Sequence, residues 1–99
     1  MLNINKKKDA TLLIYQVEGR LDTTTSPQLE DELNGSLNGV TKLVFDMNNL
    51  EYISSAGLRV LLSAQKTMNK QGEMIVKNVS EEIMEIFDVT GFSDILNIE

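Results

Sequence analysis

Two successive serines, Ser54-Ser55, followed by Ala56-Gly57-Leu58-Arg59, are the residues best placed for chemistry in this chain. They stand where an apolar pattern of helical period begins. A helix start offers unpaired backbone N–H groups and the positive end of the dipole to anionic oxygen. A phosphate on either hydroxyl would be stabilised there, and equally one of the two serines can serve as an ordinary helix cap. Gly57 in a first helical turn costs about 1 kcal/mol relative to alanine, and a close approach by another backbone would explain it. A second candidate is Asp22, which follows Gly19-Arg20-Leu21 and precedes four hydroxyl residues, Thr23 to Ser26. Such a loop can present hydrogen bonds to a partner or fold back into turns and caps. Asp46, at the end of an apolar run, is either a functional carboxylate or a turn acceptor for Asn48 and Asn49.

Composition narrows what these groups can do. The chain has no cysteine and no histidine, which removes thiol nucleophiles, Ser-His and Cys-His dyads, thiolate zinc sites and disulfides. Asp22, Asp46 and Glu51 do not have calcium-loop spacing, and Gly35 and Gly39 do not form a phosphate loop. No cofactor and no metal are expected. With 9 basic and 15 acidic residues the net charge is −6, so nucleic acid and anionic membranes are not expected partners. The last 22 residues carry six acids and no base, with Glu81, Glu82 and Glu85 suited to a helix start. Lys6-Lys7-Lys8 beside Asp9 reads as a solvated hairpin turn, too small for a polybasic anchor. No apolar run reaches the roughly 18 residues of a membrane span, and the N-terminus lacks a signal-peptide core, so a cytoplasmic location is expected.

The elements that must position these groups alternate. Leu2 and Ile4 suggest a first strand, and Thr11 to Val17, ended by Gly19, a second. Ser26-Pro27 opens a helix with Leu29, Leu33 and Leu37 on one face, stopped by Gly35 or Gly39. Lys42 to Met47 is a buried strand; Ser54-Ser55 opens a second helix, apolar at Leu58, Leu61, Leu62 and Met68 and running to Gly72. Met74 to Val76 is a strand, and Ser80 caps a third helix, with Ile83, Ile86 and Phe87 inward and Gly91 as its stop. Ile95 to Ile98 reads as a last edge strand. The five methionines (1, 47, 68, 74 and 84) read as scattered core fillers. The expected fold is one α/β domain over residues 1–99: a small, mostly parallel sheet opened by an antiparallel hairpin, in the order β-β-α-β-α-β-α-β. Ligands of such sheets gather at the carboxyl ends of the parallel strands, where the loops at Asp22, at Asp46 to Ser55, and at Asn78 to Ser80 should meet.

Three stretches, Gly19-Arg20-Leu21-Asp22, Leu43-Val44-Phe45-Asp46-Met47 with Leu50, and Tyr52 to Leu62, resemble STAS domains. The likeness is in particular to the small bacterial anti-sigma-factor antagonists and covers essentially the whole chain. It implies a sheet with helices packed on it and a partner-switching role. The antagonist binds an anti-sigma factor that is also a serine kinase, is phosphorylated on a serine at the start of the second helix, and is restored by a serine phosphatase. Aligned on Gly57-Leu58, that serine falls on Ser55, with Ser54 as second choice. Asp22 matches the first-loop aspartate near the kinase contact. Ser54 stands where many members carry Asp, and Ala56 where many carry a second Ser. Partner contact is therefore expected from Asp22, Ser54, Ser55, Gly57 and Arg59, in a protein that is monomeric when free and not an enzyme. The competing readings are a STAS scaffold without phosphorylation and a small nucleotide-binding or hydrolysing protein using Asp46 and Ser55, against which the missing histidine and phosphate loop count.

Overall fold

A computed structural model describes residues 2–99, so Met1 lies outside the described residues. The first strand, β1 (Leu2–Asp9), forms an antiparallel hairpin with β2 (Leu12–Leu21), in register from Leu2 opposite Gly19 to Asp9 opposite Leu12. Lys6, Lys7 and Lys8 are therefore strand residues and not the turn. The turn is Ala10-Thr11, with Ala10 at φ 53°, and the lysines sit on an edge strand, where charge discourages pairing with other chains.

The remaining strands run parallel to β2. After α1 (Ser26–Leu33), β3 (Lys42–Asp46) pairs with β2 from Leu12 opposite Lys42 to Gln16 opposite Asp46. After α2 (Ser55–Asn69), β5 (Glu73–Lys77) pairs with β3 in the same register, Lys42 opposite Glu73 through Asp46 opposite Lys77. The order across the sheet is β1-β2-β3-β5. Alternation sends Leu13, Tyr15 and Val17, Leu43 and Phe45, and Met74 and Val76 to one face. There they share a single core with Leu29 of α1, Leu58, Leu61 and Met68 of α2, and Ile83 and Phe87 of α3 (Glu81–Thr90). Tyr15 and Phe45 stack with ring centroids 6.0 Å apart, and the Tyr15 hydroxyl donates to the Glu32 carbonyl at 3.2 Å. Val44 and Ile75 are buried but stand outside that cluster, on the other face.

The fold class is the one expected, and it differs in local elements. The second strand does not end at Gly19. Gly19 takes φ 96°, a conformation with no Cβ penalty for glycine, and a bulge between Gly19 and Arg20 lets the strand run on to Leu21. By Gly19 β2 has changed partners. Its tip pairs in parallel with β4 (Leu50–Ile53), an additional strand inside the expected Asp46–Ser55 loop. Leu50 and Ile53 are the buried residues of β4, three apart and not alternating, so period-2 reading overlooks them.

The expected edge strand Ile95–Ile98 is reduced to one parallel bridge between Ile98 and Val76. Its upstream amides are spent on a short 3₁₀ turn, Phe92–Asp94, with Ile95 N–H and Leu96 N–H donating to the Phe92 carbonyl. The first helix starts one residue earlier than expected, with Thr25 at the cap position and Ser26 and Pro27 as its opening residues, and it ends at Leu33. Leu37 lies beyond it, partly buried against the core. Met47, Met68 and Met74 are core residues, as expected, and Met84 packs partly buried against them. The third helix matches its reading: the Ser80 hydroxyl accepts from Ile83 N–H at 3.2 Å, Glu81 and Glu82 lie in the first turn, and Gly91 closes it.

Candidate functional site

The carboxyl edge of the sheet divides into two corners. In the first, β2 and β4 end side by side. Leu21 lies opposite Ile53, and the Ser54 amide donates to the Leu21 carbonyl at 2.9 Å, so the start of α2 is pinned beside the Asp22 loop. This brings Asp22, Ser54 and Ser55 together.

The two serines differ in access. Ser54 occupies the cap position of α2 in extended conformation, but its hydroxyl makes no capping hydrogen bond. Its Oγ is shut away from solvent with no partner. Ser55, the first helical residue, is exposed. Gly57 is buried, and a Cβ on it would lie 2.8 Å from both Leu21 Cγ and Ile53 Cγ1. The close approach that explains this glycine is by side chains of the sheet tips, so Gly57 lets the helix start settle onto β2 and β4. Arg59, one turn on, is exposed. It borders a groove of about 480 Å³ between α1 and α2, lined also by Glu30, Asp31, Leu33, Val60 and Ser63. Leu58 and Leu61 face the core as expected, while Leu62 is half-buried at the side.

Asp22 organises its own loop. Its Oδ1 accepts from the Thr24 N–H and hydroxyl at 3.1 and 2.8 Å, and from the Thr25 N–H at 3.1 Å. The Thr24 hydroxyl, followed by these other donors, holds the carboxyl below the usual carboxylate range against the desolvation that opposes it. Thr25 in turn donates its hydroxyl to the Arg20 carbonyl at 2.7 Å and accepts the Asp22 amide at 2.8 Å. The hydroxyl-rich run is thus a closed turn that leads into α1.

Asp46 belongs to the second corner. Its Oδ1 accepts from the Asn48 amide at 3.1 Å and from the Asn78 side chain at 3.0 Å, tying the end of β3 to the loop after β5. Asn78 holds φ 59° there. Burial resists ionisation of Asp46, but Asn78, the Asn48 N–H and the charge of Lys77 outweigh it and keep the carboxyl below its ordinary value. The turn-acceptor reading of Asp46 fits this arrangement. Among the described residues no three His, Cys, Asp or Glu side chains form a metal-sized cluster.

The STAS domain model matches residues 3–99. The chain belongs to the STAS domain family. Among its relatives is BtrV of Bordetella bronchiseptica, named as a candidate anti-sigma factor antagonist, 35% identical over 88% of this chain and 77% of that protein. The anti-sigma-B factor antagonist of Bacillus subtilis is 28% identical over 98% of this chain and 90% of its own length. The anti-sigma factor antagonist SpoIIAA of Bacillus shares the fold in both its unphosphorylated and phosphorylated forms. Their TM-scores are 0.76 and 0.75 at 15% and 16% identity, covering 100% of this chain and 87% and 91% of those chains.

One pair in this STAS domain escaped the sequence reading. Arg20 and Tyr52 face each other across β2 and β4, and the Arg20 guanidinium carbon lies 4.5 Å from the centre of the Tyr52 ring. The signal was a cross-strand register, which exists only once β4 does.

Proposed function

We propose that this STAS domain is an anti-sigma-factor antagonist. It captures an anti-sigma factor with serine-kinase activity, is switched off by phosphorylation of Ser55, and is restored by a serine phosphatase. It acts in the cytoplasm and is monomeric when free. The relatives named for that role support the general reading, and one contrast carries the finer one: Ser55 is open at the first position of α2, while the Ser54 hydroxyl two atoms of backbone away is closed off. A hydroxyl that is to be phosphorylated needs access; one that is to act as a nucleophile needs a base, and the chain has no histidine to supply it.

The switch follows from charge. A phosphoserine carries about −1.5 to −2 charge and is tolerated at a helix N-terminus, so the fold survives. Beside Asp22 the dianion repels an acidic partner surface and fills space in a close interface, so binding is lost. No helix of the described residues is long and apolar enough to cross a membrane.

The test is the intact mass of protein purified from its native cells and of protein incubated with the anti-sigma factor and ATP. One added phosphate, mapped to Ser55 and absent in Ser55→Ala, supports the switch. Unmodified protein that still binds the anti-sigma factor would leave a scaffold without phosphorylation, and phosphate on Ser54 would move the site.

A further inference from the structure

Arg20 is poorly used within its own chain. Among the described residues its only ionic neighbour is Asp22, Nε to Oδ2 at 3.8 Å between partly exposed side chains, too long for a hydrogen bond. The guanidinium has five donors in a planar fork, and the terminal nitrogens of Arg20 donate no hydrogen bond among the described residues. Yet the group is not free to wander, because it lies over the Tyr52 ring, and Tyr52 is itself left 37% exposed. Stacking holds the fork in place while leaving its edge open to solvent.

The location matters as much as the chemistry. Arg20 precedes Leu21, and Tyr52 precedes Ile53. Those second residues are the ones that receive the start of α2, through the Leu21 carbonyl and the packing on Gly57. The stacked pair thus lies at the end of β2 and β4 that receives the start of α2, in a chain of net charge −6, with Asp22 and Glu51 as its acidic sequence neighbours and Arg59 one turn along α2 as a further base. Tyrosine and arginine are the residues most often found as interface anchors, and a pre-set rotamer removes part of the ordering cost of binding.

We propose that Arg20, plated on Tyr52, is a specificity anchor that receives a carboxylate side chain of the anti-sigma factor in the bidentate geometry of the guanidinium fork. This rests on the anti-sigma reading and adds the partner's chemistry to it.

The test is the affinity of the unphosphorylated full chain and its Arg20→Gln, Arg20→Lys and Tyr52→Ala variants for the anti-sigma factor, with melting curves recorded on each. Loss of a buried bidentate pair predicts weakening by about tenfold or more for Arg20→Gln. Arg20→Lys should fail similarly, because it keeps the charge and loses the fork. Tyr52→Ala should weaken binding while the protein remains folded. Wild-type affinity in Arg20→Gln, or full rescue by Arg20→Lys, would overturn the assignment and leave the anti-sigma reading standing. A wild-type chain that does not bind the anti-sigma factor would remove both.

Discussion

Gly57 lies against Leu21 so closely that a methyl group in place of its hydrogen would stand 2.8 Å from Leu21 Cγ and 3.0 Å from Leu21 Cδ2. Ile53 Cγ1 presses from the other strand at 2.8 Å, and Leu21 Cγ is the branch point of its side chain, not a flexible end. Helix propensity alone makes Gly57→Ala stabilising by about 1 kcal/mol, whereas overpacking a filled site costs about 1–3 kcal/mol. The packing should prevail, with a net loss on the order of 1 kcal/mol, seen as a fall in melting temperature of about 4–8 °C. An increase in melting temperature would show that the strand tips give way.

The serines should separate cleanly. Because the Ser54 hydroxyl is buried, unpartnered and makes no capping bond, Ser54→Ala removes an unsatisfied group. It should be neutral or stabilising by up to about 1 kcal/mol, against the roughly 0.5–2 kcal/mol usually lost at a cap. Ser55→Ala should fold, bind the anti-sigma factor and resist phosphorylation. Ser55→Asp should fold as well, since an acid suits the helix start, and should bind more weakly. Denaturant titration and binding measurements on the three variants check this.

At Asp22 the expected outcomes depend on what replaces it. Asparagine keeps an oxygen that can accept from Thr24 and Thr25, and alanine keeps none. Asp22→Ala should therefore lower the melting temperature clearly, and Asp22→Asn much less, while both alter the surface beside Ser55. Equal melting temperatures for the two would show that the hydrogen bonds to Oδ1 from Thr24 and from the Thr25 N–H contribute little.

Asp46 should leave a mark on the acid side of the stability curve. Its carboxyl is held below the ordinary value in the folded chain, so the folded state binds the proton less readily than the unfolded one. That contribution is present above the unfolded value, about 3.9, and is lost as pH falls through the lower folded value. Stability of Asp46→Asn should consequently fall less steeply than wild type below about pH 4–5. Parallel curves for the two proteins would place the dominant acid-sensitive group elsewhere.

Much of this fold can be read from the chain because burial imposes simple periods. The strands at Leu43 and Met74 are short apolar runs, and the helix after Ser80 carries its cap, its inward Ile83 and Phe87 and its Gly91 stop in plain order. Ser55 and Asp22 could be found because a helix start and a hydroxyl-rich loop have recognisable compositions. What could not be read depends on contacts between distant segments. The strand at Leu50–Ile53 is defined by its pairing with the distant tip of β2, on both sides of the bulge after Gly19. Ile95 to Ile98 has strand-like composition, yet the local 3₁₀ hydrogen bonds after Gly91 claim its amides first. The difference between Ser54 and Ser55 is likewise a matter of which hydroxyl the packed sheet tips enclose.

The change of partner at Gly19 bears on how such a protein can diverge. Below the bulge, five consecutive residues of β2 are locked to β3, and a one-residue slip would turn the core inside out. Beyond it, two pairs, Arg20 with Tyr52 and Leu21 with Ile53, join β2 to β4, and the bulge already absorbs an offset between the strands. Insertions, deletions and side-chain exchanges in the tip are therefore insulated from the register of the core. Descendants of one ancestral gene can acquire different docking partners by editing a few codons on the far side of Gly19, while the rest of the domain remains under constraint.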